Sequence, residues 1–494
     1  MSEFLVNYTT PKNVVLKLQT GLFINNEFVA GANTIDTINP ATEEVICSVQ
    51  AAEGAQVDAA VKAAEKAYEQ VWRKTTAQER QTLMLKLADL VDRDAEELAQ
   101  IETVDNGKAI MFARYADSKA IAKTLRFYAG YTDKIYGKTV DTPGALSYTR
   151  YEPIGVVCGI IPWNFPLVML GWKLGPALAT GNVVIIKTSE LTPLSALKVA
   201  SLVKEAGFPP GVVNILTGHG HITGEALARH PKIGKIAFTG STRVGRLIMK
   251  AAAETNFKKV TLELGGKSPN IIFDDADIDK AVKWAHRGIF FNQGQVCCAG
   301  SRIYVQEGIY DKFIEKFKQY TAKGVVGDPQ DVKTFQGPQI SKEQLNRVMG
   351  YIEQGKREGA TLISGGKRIG NKGYFLEPTI FTNVTSSMKI VQEEIFGPVA
   401  VVAKFKDVDE AIKLAHDTAY GLAAAVFTEN VTRAVDFSNR LEAGTVWVNC
   451  LLELHDNTPF GGYRQSGIGR ENGFEGLQNF LEVKTVKINL DKPA

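Results

Sequence analysis

The spacing of apolar residues changes several times along this chain, and each change predicts a change of element. Over residues 21–46 apolar and polar positions alternate in short runs broken at Asn25-Asn26 and Asn39-Pro40, which predicts short strands joined by turns. Val57, Ala60, Val61, Ala64 and Val71 then recur near the helical period. Leu83, Leu87, Leu90, Val91, Leu98 and Ile101 mark one longer helix over 77–104, which Asn106-Gly107 stops. A third helix is predicted over 120–129. Residues 148–151 read as an extended arm closed by Pro153, and a strand that protrudes needs a partner.

From Ile154 the apolar runs become continuous. Strands predicted at 155–160, 183–186, 212–216 and 236–238 alternate with helices, as in a parallel sheet covered on both faces. The helix between the second and third is bounded by Thr192 as N-cap, Pro193 at the first helical position and Gly207 after the last turn. A second series of strands begins at Val260 and Ile271. Helices follow over 279–290, 310–323, 342–358 and 408–415, with strand-like segments at 375–380 and 445–449. The last alternation, EVKTVKI at 482–488, is a period-two strand placed to add to a sheet outside the main domains. The fold class expected is α/β, with two open parallel-sheet domains.

Composition narrows the function. A chain of 494 residues with 45% apolar and 22% charged residues is an ordinary globular protein large enough for two or three domains. Its net charge of +3 and the absence of a basic tract interleaved with aromatics exclude a nucleic-acid partner. No apolar run reaches the length of a membrane span, and MSEFLVNYTT carries no targeting pattern, so the cytoplasm is expected over the mitochondrion. Five cysteines, an odd number without CxxC spacing, argue for a reducing compartment. Six histidines without HxxxH or HExxH spacing leave a metal site unsupported.

Five segments could carry chemistry. FFNQGQVCCAGSR at 290–302 holds Cys297 and Cys298 between Gly294 and Gly300. A thiol on a tight turn is a candidate nucleophile, although free cysteine is also among the most buried residue types. Glu263 ends an apolar strand before Gly265-Gly266. It is either a general base with a raised pKa or a carboxylate capping that turn. Asn164 in PWNFP is held by flanking aromatics and prolines, as an oxyanion donor would be, and equally as a tight structural turn would be. TGSTRVG at 239–245 follows a strand and opens a helix. It offers N–H groups and hydroxyls to a phosphate, or is an ordinary glycine-rich turn, and no GxGxxG is present. Lys187 ends a strand where ligands bind in open α/β folds, and Glu190 follows it. The Glu190 carboxylate would accept hydrogen bonds from a ribose diol and repel a 2′-phosphate. No histidine is tied to the cysteine loop, which disfavours a cysteine-histidine hydrolase.

PWNFP at 162–166, FTGSTRVG at 238–245, LELGGKSPN at 262–270, FFNQGQVCCAG at 290–300, EEIFGPV at 393–399 and PFGGYRQSGIGRE at 459–471 occur in one order, and together the chain resembles the aldehyde dehydrogenase superfamily over nearly its whole length. The resemblance implies an NAD-dependent aldehyde dehydrogenase with Cys297 as nucleophile, Glu263 as general base, Asn164 as oxyanion donor, and Lys173 and Glu471 supporting proton transfer. It implies a cofactor site of Ile161, Trp163, Lys187, Glu190, Gly240, Ser241, Gly245, Gln344, Glu394 and Phe396, with NAD favoured over NADP, and no metal. It implies a substrate tunnel of Phe165, Met169, Trp172, Leu454 and Phe460 taking a small-molecule aldehyde. Leu454 stands where the family often has an aromatic. The implied subunit has a Rossmann-like cofactor domain (1–133 and 154–263), a catalytic domain (264–461), an oligomerisation arm and strand (134–153 and 480–494), a segment returning to the active site (462–479), and a homotetrameric assembly built as a dimer of dimers. The other readings are a non-catalytic structural or NAD-binding protein on this fold, a specialised betaine-aldehyde or amino-aldehyde dehydrogenase, and transfer of the thioester to coenzyme A, which Glu263 disfavours.

Overall fold

The computed structural model describes residues 3–490, so residues 491–494 of the expected terminal segment and residues 1–2 lie outside the described residues. Two large sheets organise the chain. In the first, Lys259–Glu263, Lys235–Thr239, Val156–Ile160, Val183–Lys187 and Val213–Leu216 run parallel in that spatial order. Antiparallel strands edge it on both sides: Gly467–Ile468 beside Lys259–Glu263, and the hairpin Leu22–Ile24 and Glu27–Val29 beside Val213–Leu216. The second sheet runs Thr361–Ser364, Thr379–Thr382, Val399–Phe405, Arg302–Gln306, Pro269–Ile272, Ala423–Phe427, Thr445–Val448, and is parallel except for the first of these. Near-continuous apolar sequence suits strands covered on both faces, whereas antiparallel edges can be short and half-polar, which is why they were hard to read from periodicity.

Four expectations need correction. Val260 belongs to the first sheet, not to the second series. The strand expected at 375–380 lies at Thr379–Thr382. The helix expected over 77–104 is two, Ala77–Arg93 and Ala95–Asn106, broken at Asp94, whose ψ of 14° leaves the helical range and whose carboxylate meets Arg93 and Lys198. Thr192 is not the cap it was expected to be: the helix is Leu194–Ala206 with Pro193 in the cap position, and Asp105 Oδ2 accepts the Leu194 N–H at 2.9 Å across 89 positions of sequence.

The helix Pro166–Ala179 is buried almost all round. Gly171 and Gly175, one turn apart, let it close on the helix Ser118–Ala129, since a Cβ on Gly175 would lie 2.6 Å from the Tyr128 ring. That approach fixes Lys173 between them over the first sheet. The terminal strand Leu481–Asn489 pairs along its whole length with Ala145–Pro153, which pairs in turn with Thr139–Thr142, making a separate three-stranded antiparallel sheet.

Candidate active site

In the first sheet the chain order reverses between Val156–Ile160 and Lys235–Thr239, and ligands of open α/β sheets bind at the carboxyl ends of strands where such a reversal opens a crevice. The chain leaves the first strand as Ile161–Phe165 and the second as Gly240-Ser241, while Glu263 ends the neighbouring strand. These segments form one wall of a cleft of about 290 Å³, at the lower end of the roughly 300–1,000 Å³ of ligand pockets. Trp163, Asn164, Phe165, Met169, Gly240, Ser241, Glu263, Cys297, Gln344, Glu394 and Phe396 line it together, with Thr239, Ser341 and Arg347. Ile161, Lys187, Glu190, Gly245, Trp172, Lys173, Leu454, Phe460 and Glu471 stand behind or beside it.

The cysteine loop is held in an uncommon backbone path. Asn292 (φ 49°), Gln293 (φ 59°) and Gly294 (φ 71°) are left-handed in succession, at about 1–2 kcal/mol for each non-glycine residue. Hydrogen bonds offset that cost. Asn292 Nδ2 donates to Asn164 O at 3.1 Å, Gln293 Nε2 to Pro338 O at 3.2 Å, Gln339 Nε2 to Gln293 O at 3.3 Å, and the Ile340 N–H to Gln295 Oε1 at 3.0 Å. A Cβ on Gly294 would overlap the Gly397 carbonyl. The loop delivers Cys297 half-buried at the cleft and buries Cys298. The Cys298 thiol beside it, burial and the Glu394 charge hold the Cys297 thiol well above the ordinary cysteine range, against the Cys298 N–H, which favours the thiolate. Cys297 thus holds its proton more tightly than an ordinary cysteine, and thiolate chemistry there would need a base.

Glu263 is 4% exposed. Its Oε2 has no hydrogen-bond partner among the described residues, and a Cβ on Gly461 would press within 2.7 Å of its Oε1. Burial, then the Glu471 charge, push its carboxyl well above the usual carboxylate range, while Lys173 and Arg470 draw it back. Lys173 and Glu471 form a buried ion pair beneath it. Asn164 Nδ2 donates to Gln295 O at 2.9 Å, so one amide N–H fixes the side chain and leaves the other for a ligand. Its rigidity comes less from the prolines than from Asn292 on its carbonyl, and from Asn106 Nδ2 on the Trp163 carbonyl at 2.5 Å.

On the same wall Ser241 caps the helix Thr242–Glu254, its Oγ accepting the Val244 N–H at 3.3 Å. The Thr239 hydroxyl is buried there without a partner among the described residues. Gly245 lets this helix lie against Leu264, 2.9 Å from where its Cβ would be. A helix N-terminus with an orphaned hydroxyl beside it fits a phosphate. Lys187 Nζ donates to Thr188 O at 2.9 Å and lies 3.6 Å from Glu190, whose carboxylate is a third exposed at the rim, placed for a diol. The Ile161 N–H donates to Lys187 O at 3.0 Å, tying the two strand ends. Glu394 accepts the Gly266 N–H at 3.1 Å, and burial pushes its carboxyl up to about 7. Gln344 spends its amide on Phe396 O at 2.7 Å, anchoring the loop whose Phe396 ring meets Trp163 edge-on at 5.1 Å.

Of the lining, Trp163, Phe165 and Phe396 are aromatic, and further rings pack behind it. Phe165 stacks on Phe291 at 6.0 Å, Phe291 meets Phe112 at 4.7 Å, and Trp172 packs on Phe460 at 5.5 Å. Leu454 is 40% exposed and outside the cleft lining. Sequence reasoning missed Phe112 and Phe291 and the positioning amides Asn106, Asn292, Gln293, Gln295 and Gln339. Phe291 lies within a segment singled out for its cysteines. So do Asn292, Gln293 and Gln295, and Asn106 was read only as a helix stop; their positioning contacts were hidden because the partners Asn164, Gly107, Pro338, Ile340 and Trp163 are distant in sequence. All five cysteines are free thiols, and among the described residues no group of three or more His, Cys, Asp or Glu is gathered as metal ligands would be.

Comparison with known proteins follows this geometry. The sequence model of the Aldehyde dehydrogenase family matches residues 28–486. An aldehyde dehydrogenase of Alternaria alternata is 58% identical over 488 residues, 98% of each chain. Retinal dehydrogenase 2 of Gallus gallus is 53% identical over 95% of this chain and 92% of its own. The solved NAD+ complex of the aldehyde dehydrogenase from Bacillus cereus superposes with a TM-score of 0.95 at 48% identity, covering 98% of this chain and all of that one.

Proposed function

The chain belongs to the aldehyde dehydrogenase family and is an oxidoreductase acting on aldehydes, and from that premise we propose that it oxidises an aldehyde to the carboxylic acid with NAD through a thioester on Cys297. The observation that carries this reading is the meeting of Cys297, Glu263 and the Ser241 helix terminus in one cleft. Cys297 Sγ bonds to the carbonyl carbon as its proton leaves for Glu263. The carbonyl oxygen takes the electron pair and is held by the free Asn164 N–H and the Cys297 backbone N–H. NAD bound between the Lys187–Glu190 rim, the Ser241 turn and Glu394 supplies the acceptor for the hydride that leaves this carbon. Glu263 releases the thiol proton to solvent, and then takes a proton from water as the water oxygen bonds to the acyl carbon and the bond to Sγ breaks, the sulfur leaving as the thiolate. The Lys173–Glu471 pair supports that proton transfer.

Glu190 favours NAD, because a 2′-phosphate would meet its carboxylate. Phe165 and Met169 in the cleft lining, with the Trp172–Phe460 pair behind it, suit an apolar aliphatic or aromatic aldehyde, and among the described residues no cage of aromatic faces is gathered for a trimethylammonium group. The arm and the terminal strand present Val140, Leu146, Val483 and Ile488 to solvent, in keeping with a homotetramer, in which an arm from one protomer would meet another. The cytoplasm is the compartment we propose, and cofactor, catalytic and arm units are proposed with the boundaries given above. NADH formation with short, long, aromatic and amino-aldehydes, run with NAD and NADP, tests the reading. Cys297→Ala should abolish turnover. Full turnover in that variant, or equal efficiency with both cofactors, would contradict nucleophile and cofactor assignment respectively.

A further inference from the structure

The strand that ends at the cleft with Thr239 begins at its far end with a buried cation. Lys235 is 0% exposed. Among the described residues its one hydrogen bond goes to Thr261 Oγ1 at 2.8 Å, and the Phe480 ring covers it at 5.0 Å. An ammonium in such a place is costly, and no ion pair satisfies it.

Side chains alternate across a strand, so the parallel register puts Lys235, Thr261 and Glu263 on one face of the sheet: Ala237 pairs with Thr261, and Thr239 with Glu263. Lys173 crosses the same face. Its stem lies over Gly159, where an added Cβ would come 3.0 Å from Lys173 Cβ, and Gly159 pairs with Ala237. Lys173 therefore sits at the level of Thr261, between Lys235 and Glu263, and carries the ion pair to Glu471. One dry face thus holds four ionisable groups in a row, two carboxylates and two amines, with Glu263 at the cleft and Lys235 remote from it. Lys235 is influenced by Glu471, Lys173 and Lys259, and burial pushes it down to about 7. Glu263 is influenced by Glu471, Lys173, Arg470 and Cys297.

We propose that Lys235 is a positioning residue for the reaction: its positive charge, by its direct field along the buried sheet face it shares with Glu263, sets the proton affinity of Glu263, and its bond to Thr261 Oγ1 sets how much of that charge is present. The proposal rests on Glu263 being the general base. It assigns a role to a residue that touches neither substrate nor cofactor, and it predicts opposite effects from two changes at one buried position. Lys235→Met removes the charge and makes Glu263 harder to ionise. Lys235→Arg makes the charge permanent and makes Glu263 easier to ionise. Thr261→Val, a change of shape so small that folding is not at issue, weakens the charged form of Lys235 and acts like Lys235→Met.

The test uses the full chain acylated with p-nitrophenyl acetate, in which the nitrophenolate burst counts intact Cys297 sites and the decay of the acyl-enzyme mass gives hydrolysis as a function of pH. The acid limb of that hydrolysis should move up by about half a pH unit or more in Lys235→Met and Thr261→Val and down in Lys235→Arg, with bursts of unchanged size. General loosening of the core cannot move one limb in two directions. Should Glu263→Gln stall hydrolysis while the limb stays in place in Lys235→Met and Thr261→Val, the role of Lys235 alone is overturned. Should Glu263→Gln hydrolyse at the parent rate, the base assignment fails and this proposal with it.

Discussion

Glu263 is a residue whose function opposes stability. Its carboxyl binds a proton more tightly in the folded chain than in the unfolded one, because burial and the Glu471 charge penalise the ionised form. Folding therefore takes up a proton between the ordinary carboxylate range and the raised folded value, and stability falls as pH rises through that window. Glu263→Gln removes the penalty, so at pH 8 the variant should melt at a higher temperature than the parent by calorimetry, and at pH 4 the difference should shrink. A lower melting temperature at pH 8 would mean the carboxylate is better solvated than its surroundings indicate. Asn164 is proposed to work the other way, acting only on charge that develops during reaction. Asn164→Ala should lower kcat by roughly 10²–10³ while NAD affinity, read by fluorescence quenching, stays as in the parent. A variant that lost both equally would have lost the fold of the cleft instead.

At the scale of elements, the cysteine loop is the clearest case of a tertiary constraint overriding local preference. Glycine at 294 was readable as a turn, and the helix before it was readable from its period. Gln293 in a left-handed conformation was not, since nothing in its own chemistry favours φ of 59°. Its amide contacts reach Gly107 and Pro338, which are remote in sequence. The same reason hid the break at Asp94 and the cap that Asp105 provides to Leu194. The strands beside the cleft were legible because parallel strands buried on both faces carry continuous apolar sequence, and Asn164, Glu263 and Cys297 were legible because each stands next to a turn. Gly294→Ala tests the loop. The αL strain is about 1–2 kcal/mol, and the overlap with Gly397 adds to it. We expect at least a hundredfold loss of aldehyde oxidation, with far-UV circular dichroism unchanged. Near-parent activity would show that the loop reaches Cys297 by another path.

For the molecule as a whole, both large sheets contribute to one cleft. The carboxyl ends of the first sheet supply the N-terminus of the helix Thr242–Glu254 and Glu263, and the loop entering Arg302–Gln306 of the second supplies Cys297. The three-stranded arm is a sheet of its own, tied to the first sheet where Lys259 Nζ donates to Leu481 O at 2.9 Å, and it leaves Val140, Leu146, Val483 and Ile488 exposed. Removal of residues 481–494 should leave the cleft intact and reduce the particle by light scattering from a tetramer to a smaller species, whereas an unchanged mass would remove the arm from assembly. The proposed thioester on Cys297 is tested by intact-protein mass spectrometry of Glu263→Gln mixed with NAD and an aldehyde. One added acyl group per chain is expected, located by peptide mapping on Cys297 and absent when NAD is withheld. An acyl group on Cys298 or Cys450, or steady turnover with no added mass, would contradict it.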